Sequence, residues 1–367
     1  MHARSTETIQ EATAAYETWL AEHKQLVPAD LADKHTQMAA DRFAFFRATY
    51  YRWAQRWSAL PPELAKAPAV LAVGDLHIEN FGTWRDSEGR LVWGINDFDE
   101  AFTLPYTNDL VRLATSALLA IEGDHLALRP RPACAALLDG YRAAMEAGGR
   151  PFVLTEEHPW LRRVATRRLR DAGRFWKRLD HPEVLTPSPE PPPEARMALD
   201  LALPERDLPY RVHTRVAGEG SLGHQRWVAI SSWRGARIAR EAKARAPSAA
   251  LWAATDSAPE PEDPYAAIVG RAVRALDPFL RVGDRWLVRR LAPDCSRVEL
   301  GSLAARRDEA ALLQAMGWET ANIHLGTLET TPAIVADLQK RSGDWLVQAS
   351  RVMLRAVAQD WKAYRLS

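Results

Sequence analysis

The chain has 367 residues, which is enough for one large core or for two lobes. A hydrophobic share of 47% is typical of a soluble globular protein, and a net charge of +1 argues against general attraction to nucleic acid or anionic membranes. The sequence contains no apolar run of the roughly 20 residues that span a bilayer, no apolar signal segment and only two cysteines, so we expect a cytoplasmic protein with reduced thiols.

The N-terminal part of the sequence predicts helices. Residues 5–25 are weakly amphipathic, whereas the stretch from Thr36 to Trp57 carries aromatic side chains at spacings of three and four. We interpret this stretch as one helix with a core-facing stripe, ended by Leu60-Pro61-Pro62. The stripe consists of Phe43, Phe46, Tyr50, Trp53 and Trp57.

Two short apolar runs follow, 69–73 and 91–95, and each delivers a carboxylate at its end. Asp75 follows the first run, Asp97 follows the second, and a turn signal occupies 86–89 between them. We expect a hairpin-like pair of strands that holds both carboxylates at one edge.

Further polar residues surround these two carboxylates. His77 and Asn80 follow Asp75, and Asp99 follows Asp97. Carboxylate and amide oxygens suit Mg²⁺, so this edge could bind a divalent metal and polarise a hydroxyl. Asp99 is either a further metal ligand or a solvated acid at the strand end.

The middle of the chain predicts helices and a linker. One helix begins after Pro105, and another covers Ala133 to Ala147, where Gly148-Gly149 ends it. Residues 160–179 are rich in Arg and Lys, which indicates either a solvated helical face or an anion-binding surface. The proline-rich residues 181–194 predict a linker or loop that forms neither helix nor sheet ladder.

Strands dominate the next part, and helices return at the end. The predicted strands are 210–217, 225–231, 235–242 and 286–291; residues 247–264 predict a loop, 265–276 a helix and 303–367 helices. This order favours one helical and one strand-rich lobe, an α+β arrangement. We expect a helical catalytic lobe at 1–195, a strand-rich nucleotide-binding lobe at 205–300, and helices at 301–367 that pack back on the helical lobe.

A glycine-rich stretch separates the first two predicted strands. A dinucleotide-binding fold would require a helix directly after it, but residues 225–230 read as a strand. Strand, glycine loop and strand are typical of the kinase lid, whose backbone amides cover nucleotide phosphates. The candidate lid residues are Gly218, Gly220, Ser221 and Gly223.

A kinase lid requires a downstream cation to hold the phosphates. The third strand region offers Lys243 and Arg240. We prefer Lys243, because its compact ammonium contacts phosphates as a point charge, and Arg240 is the alternative.

These motifs resemble known families. GDLHIENFG, INDFDEAF and GEGSLG together are similar to a bacterial family, the domain of unknown function 2252 family, from about Phe43 to the C-terminal helices. Asp75-x-His77-x-x-Asn80 resembles the catalytic loop of aminoglycoside phosphotransferases, within the protein-kinase-like superfamily. The segment around Asp97 resembles the metal-binding segment of that superfamily, and Asp109 resembles its following structural aspartate.

The resemblance implies a role for each motif. Asp75 would be the base or orienter for the accepting hydroxyl, while Asn80 and Asp97 would hold Mg²⁺ bridging the phosphates of ATP. The glycines would form the lid and Lys243 the phosphate clamp, so catalysis would consist mostly of positioning and charge neutralisation. His77 would either orient Asp75 or be a structural histidine.

The order of the motifs departs from that of ordinary kinases. Here the glycine stretch follows the catalytic loop by about 140 residues, whereas in kinases it precedes that loop. Either the glycine motif is accidental, or the two-lobe kinase-like fold that the resemblance implies is circularly permuted. We favour the permutation, because it leaves a packed core intact and the glycine stretch lies between two strands. Two further departures are Val73, where the superfamily often has histidine, and the lack of an evident glutamate in 265–276 to pair with Lys243.

These expectations converge on an ATP- and Mg²⁺-dependent phosphotransferase that acts on a small hydroxylated molecule. The alternatives are a catalytically weak nucleotide-binding module and a nucleotidyl transferase that uses the same site. A metal hydrolase is weakened because only one histidine lies among the carboxylates.

Overall fold

The computed structural model describes residues 7–57, 60–154, 157–165, 171–182, 184–187, 190–217, 223–254, 262–295 and 306–366. Gly218, Gly220 and Ser221 lie outside these residues. Helices and separate antiparallel sheets together confirm the expected α+β class. Among the described helices, none is long and apolar enough to cross a membrane.

The helices and strands have the following bounds. The helices are Ile9–His23 (α1), Pro28–Ala40 (α2), Arg42–Ala48 (α3), Tyr50–Trp57 (α4), Pro62–Ala65 (α5), Tyr106–Glu122 (α6), Pro130–Ala147 (α7), Pro159–Ala165 (α8), Ala172–Leu179 (α9), Pro193–Ala202 (α10), Ala249–Ala253 (α11), Pro264–Arg271 (α12), Arg306–His324 (α13), Thr331–Lys340 (α14) and Trp345–Arg365 (α15). The strands are Ala69–Ala72 (β1), Phe81–Arg85 (β2), Leu91–Ile95 (β3), Phe102–Pro105 (β4), Phe152–Val153 (β5), Leu185–Pro187 (β6), Arg211–Arg215 (β7), Arg226–Trp233 (β8), Ala236–Ala244 (β9), Arg281–Val282 (β10) and Trp286–Leu291 (β11).

The aromatic stretch near the N-terminus is not one helix. Instead α2, α3 and α4 follow one another, with breaks at Asp41 and Thr49. Asp41 is extended, and its side chain accepts a hydrogen bond from the Ala44 amide, so it ends α2 and caps α3. The capping side chain competes with helix continuation, which the apolar spacing did not reveal.

The two apolar runs that precede the carboxylates do not pair with each other, so that prediction was wrong. β1 pairs with β4, and β3 pairs with β2 through a tight turn in which the Asp86 side chain accepts the amides of Glu88 and Arg90. The loops after β1 and β3 nevertheless meet, because the Asn96 amide donates to the Asn80 carbonyl at 3.1 Å. The carboxylates therefore lie on neighbouring loops rather than on one hairpin edge.

The strand-rich part forms one six-stranded antiparallel sheet in the order β10-β11-β9-β8-β7-β6. The edge strand β6 lies within the proline-rich stretch, so the prediction that 181–194 joins no sheet was wrong. Pro187 is its last residue, a position where the missing N–H removes no central ladder bond.

The two faces of this sheet differ in polarity because side chains alternate along each strand. One face carries Trp227, Ala242, Trp286 and Val288, which form an apolar cluster with α10. The opposite face carries a second apolar cluster, against which α9 packs, and beside it charged side chains that meet the loops after β1 and β3, where Lys243 contacts Asp99.

The helical core depends on close helix crossings. α7 and α13 approach so closely that a Cβ on Gly140 would overlap the Gln314 carbonyl oxygen, and one on Gly317 would overlap that of Leu137. The last helix, α15, packs on α6 and on the N-terminal helices, where the side-chain Nε2 of Gln10 donates to the Ala363 carbonyl at 2.9 Å.

Candidate functional site

Asp109 of α6 holds the loop that carries Asp75. The two carboxylate oxygens of Asp109 accept the amides of Val73 at 2.7 Å and of Gly74 at 3.0 Å, and His324 Nε2 lies 3.1 Å away. Gly74 has φ +79°, and a Cβ there would overlap the Glu100 carbonyl oxygen. Only glycine fits this turn, so the approach of the chain to Asp75 is fixed.

Asp75 is anchored through one oxygen only. Its Oδ1 accepts hydrogen bonds from Arg112, including one from Nε at 2.8 Å, while Oδ2 has no hydrogen-bond partner within the described ranges. Arg112 is fully buried, and its guanidinium lies 4.1 Å above the Phe46 ring and 4.9 Å from the Tyr50 and Trp53 rings. Burial raises the pKa of Asp75, although Arg112 acts in the opposite direction. The result is a rigidly held carboxylate with one free oxygen.

His77 and Asn80 organise the same loop. The Asn80 side-chain oxygen accepts the His77 amide at 2.8 Å, and His77 Nδ1 accepts the Glu79 amide at 3.2 Å. Asn80 Oδ1 can accept a further contact, because a carbonyl oxygen has two lone pairs. Arg112 is the residue that holds Asp75 in its orientation. The catalytic role of His77 stays a prediction.

Lys243 joins the two distant motifs. It lies on β9 with 2% of its surface exposed, contacts Asp99 Oδ2 directly and places Nζ 3.8 Å from Asp97 Oδ1. The lysine partner that the sequence did not reveal is therefore this pair of aspartates. Residues far apart in the chain thus converge on one point.

The donor set at this point suits one kind of metal site. Within the described part of the chain, no cluster of three or more His, Cys, Asp or Glu is placed to hold a metal ion. Mg²⁺ bound together with substrate phosphates usually takes only one or two protein carboxylates and completes its shell with phosphate and water oxygens. Asp97 and Asp99 are both partly exposed and match that smaller requirement.

Gly223 is the candidate lid residue that the structure describes. It has φ +92°, and its carbonyl accepts the Val27 amide at 3.0 Å. The next residue, His224, forms a bridge with Leu26. The end of the glycine stretch is therefore fastened to the connection between α1 and α2.

Arg240, the alternative phosphate clamp, lies on the other face of β9. Its Nε donates to the Ala202 carbonyl at 2.9 Å, and its guanidinium lies 4.8 Å from the Phe279 ring. The structure therefore brings Lys243, and not Arg240, to the acidic loops.

Sequence analysis missed a second charged cluster beside Lys243. Glu241 is fully buried, and its carboxylate accepts Arg226 at 2.8 Å and Arg289 at 2.9 Å, with Arg215 on the other oxygen. These arginines hold the pKa of Glu241 well below its usual range. Three guanidinium groups against one carboxylate leave the sheet face around Lys243 positively charged. Alternation along β9 was the available signal, because Glu241 and Lys243 must share a face.

Two cavities meet at Asp99. The smaller one has a volume of about 60 Å³ and is lined by Asp75, Asp97 and Asp99, together with residues of α1, α2 and α4. The larger one has a volume of about 600 Å³, and Asp99, Tyr265 and Trp286 are among its lining residues. A ligand at Asp99 therefore has access to both spaces.

Glu100 adds a buried carboxyl group to the smaller cavity. Burial raises its pKa to about 8, even though Oε2 accepts the Ala249 amide at 2.6 Å and the Ser248 hydroxyl at 3.0 Å. Burial therefore favours the protonated form of Glu100, which limits the negative charge beside the aspartates.

Comparisons with known proteins bear on one part of the chain. Residues 25–172 match the model of a family described as an uncharacterised protein conserved in bacteria (DUF2252). The match supports the resemblance to this bacterial family. The matched stretch contains Asp75, Asn80 and Asp97, and it ends before Lys243. Neither the curated proteins nor the solved structures give a match to the chain.

Proposed function

We propose that the protein is an ATP- and Mg²⁺-dependent phosphotransferase that acts on a small hydroxylated molecule. One observation carries the proposal: Lys243 of the sheet meets Asp97 and Asp99 of the helical part, and both aspartates line the small cavity beside Asp75. Phosphoryl transfer needs this combination, because a cation and metal-holding acids must surround the same phosphates.

Asp75 is the proposed base. Arg112 fixes Oδ1, so Oδ2 is free to accept the proton of the attacking hydroxyl. The raised pKa of Asp75 increases its affinity for that proton. Because Arg112 is itself buried against three aromatic rings, the carboxylate keeps one orientation during the transfer.

Asp97 and Asp99, with Asn80 beside them, would hold Mg²⁺, which when bound supplies positive charge to the terminal phosphates. Lys243 would exchange part of its contact with Asp99 for a phosphate oxygen. The arginines around Glu241 favour the anion from the same face of the sheet. Charge neutralisation therefore comes from both parts of the molecule.

The two cavities fit different parts of the nucleotide. A volume of about 60 Å³ admits little more than a small polar group, whereas about 600 Å³ lies in the range of ordinary small-molecule pockets. The nucleoside would occupy the larger cavity, and the phosphates would extend past Asp99 toward Asp75.

The fold that agrees with this function is a circularly permuted kinase-like arrangement of two lobes. Its support is the antiparallel sheet that brings Lys243 to the acidic loops and the end of the glycine stretch to the connection between α1 and α2. The contact of α15 with α1 agrees with termini that lie together in the helical lobe.

A nucleotide-binding module with weak turnover is the second candidate, and one observation favours it. Glu241 is engaged by three arginines, so among the described residues the acids that pair with the lysine clamp are the aspartates that would also hold the metal. Competition between these two roles would slow transfer without preventing binding.

Position-labelled ATP tests the proposal. The full-length protein is incubated with Mg²⁺, a pool of hydroxylated small molecules, and ATP labelled in either the terminal or the α-phosphate. Label transferred from the terminal phosphate supports phosphotransfer. Transfer from the α-phosphate would establish nucleotidyl transfer instead, and binding of ATP without transfer of either label would favour the module.

A further inference from the structure

The small cavity beside Asp75 has a side that phosphotransfer as proposed does not use. Three N-terminal helices form this side: α1 contributes Tyr16, α2 contributes Lys34 and α4 contributes Tyr50. We call these three residues the N-terminal wall. Any group that reaches Asp75 through this cavity meets the wall as well.

Lys34 is the unusual member of the N-terminal wall. It is 4% exposed and, with Met38 one turn later, forms the buried face of α2. Among the described residues it makes no hydrogen bond and no ion pair. Burial lowers the pKa of its ammonium group, and the carboxylates of Glu17, Glu100 and Asp75 offset this only from a distance. A buried ammonium without a partner costs several kcal/mol, so folding stability does not explain this lysine.

The two tyrosines face the same space. Tyr16 and Tyr50 are both buried, both line the cavity, and neither hydroxyl has a hydrogen-bond partner in the described part of the chain. Arg47 lines the cavity too and pairs with Glu79 at 2.7 Å. An ammonium and two phenolic hydroxyls are donors that suit a negatively charged oxygen ligand.

We propose that the N-terminal wall is a subsite for an oxyanion, a carboxylate or phosphate group, of the acceptor. The acceptor would then carry both a hydroxyl for Asp75 and an anionic group for Lys34. The cavity volume of about 60 Å³ suits such a small group rather than a whole nucleotide. This assignment of the acceptor rests on the proposed phosphotransferase function.

Anion binding without nucleotide tests the subsite directly. Isothermal titration calorimetry with inorganic phosphate and with acetate compares the full-length wild type, Lys34→Gln and, as a matched control, the exposed Lys66→Gln. We expect at least one anion to bind the wild type and the control equally, and Lys34→Gln at least tenfold more weakly. Tyr50→Phe should weaken binding severalfold. Equal affinity in wild type and Lys34→Gln, or no binding of either anion, would overturn the subsite.

Competition with Mg-ATP separates the two sources of an oxyanion. If Lys34 serves the acceptor, saturating Mg-ATP leaves the affinity for the probe anion unchanged or increases it. Displacement of the anion by Mg-ATP would assign Lys34 to the nucleotide and overturn the acceptor subsite. Lys34-dependent anion binding in a protein that does not bind Mg-ATP would overturn the phosphotransferase function and leave the anion subsite standing.

Thermal unfolding distinguishes a ligand-binding lysine from a structural one. Lys34→Met replaces a buried charge without a partner by an apolar side chain of similar length, so its melting temperature should equal or exceed that of the wild type. A clear loss of stability would show that Lys34 supports the fold, and would overturn its assignment to a ligand.

Discussion

Asp109 and Asp75 lie on neighbouring elements and are both held by buried cationic or polar partners, but their oxygens are used differently. Both oxygens of Asp109 accept backbone amides, one of them also lies beside His324, and the side chain is fully buried. Asp75 accepts hydrogen bonds from Arg112 through one oxygen, and among the described residues its other oxygen has no hydrogen-bond partner, while the side chain lines a cavity. A carboxylate whose oxygens are all engaged stabilises the loop, whereas one with a free oxygen is available for chemistry.

The largest expected effect is on turnover in Asp75→Asn. The amide keeps an oxygen for Arg112 but does not accept the hydroxyl proton, so we expect the rate of phosphoryl transfer from Mg-ATP to fall about 10²- to 10⁴-fold. Initial rates of ADP formation in the acceptor pool measure this. The exposed Asp139→Asn is the control and should retain the wild-type rate. An unchanged rate in Asp75→Asn would show that Asp75 takes no part in the reaction.

Asp109→Ala should mainly reduce stability. It leaves the buried amides of Val73 and Gly74 without this acceptor, at about 1–3 kcal/mol each, so we expect the free energy of unfolding to fall by about 2–6 kcal/mol. Urea unfolding followed by tryptophan fluorescence measures this loss. A wild-type unfolding midpoint would contradict the structural role of Asp109 and, with it, the contrast to Asp75.

Gly74→Ala disturbs the loop without changing either aspartate. The positive φ and the overlap with the Glu100 carbonyl should cost about 2 kcal/mol, and the displaced Asp75 should lower turnover. The same unfolding and rate measurements apply. Gly343→Ala is the matched control, since no atom lies within 4 Å of its added Cβ, and it should be neutral. Equal behaviour of both variants would indicate that the loop is not constrained at Gly74.

The last expected effect is a pH dependence of stability that comes from Glu100. Its pKa is raised to about 8 in the folded protein from an ordinary value of 4.5, so the folded state keeps a proton that the unfolded state has lost between these values. Stability must therefore fall as pH rises through this window, by at most about 1.4 kcal/mol per pH unit from this group. Above the folded pKa the contribution is constant.

Glu100→Gln removes that contribution while keeping an oxygen for Ala249 and Ser248. Urea midpoints at several pH values between 5 and 8 should show a shallower decline than in the wild type. The buried Glu319, whose pKa is raised to about 7, contributes to the loss of stability with rising pH in both proteins. Identical pH profiles would show that Glu100 does not hold a proton in the folded state.

Local patterns predicted the acidic part of the candidate site. Asp75, Asn80 and Asp97 were recognisable because polar residues follow short apolar runs. Lys243 was recognisable because a cation was expected in the strand region downstream of the glycine stretch. The structure brings Lys243 to Asp97 and Asp99, although strand pairing around the acids differs from the expected hairpin.

The remaining partners depend on tertiary contacts that no local spacing encodes. Asp75 contacts Arg112 only because α6 packs against the loop that carries Asp75. The sequence did contain one signal for Arg112, since it is a charged residue one turn after Asp109 on an otherwise apolar helix. Lys34 lies on a polar helix whose buried residues are Lys34 and Met38, so no periodic pattern distinguishes this lysine from the exposed ones. The breaks at Asp41 and Thr49 were likewise hidden beneath a continuous aromatic stripe.

Calorimetric titration with Mg-ATP tests most directly whether the acidic loops and the sheet form one nucleotide site. The wild type is compared with Asp97→Ala, with Lys243→Ala and with the exposed control Lys66→Ala. We predict binding to the wild type and the control, and a loss of affinity of at least tenfold in both site variants. No binding by the wild type, or wild-type affinity in both site variants, would contradict a nucleotide site shared by Asp97 and Lys243.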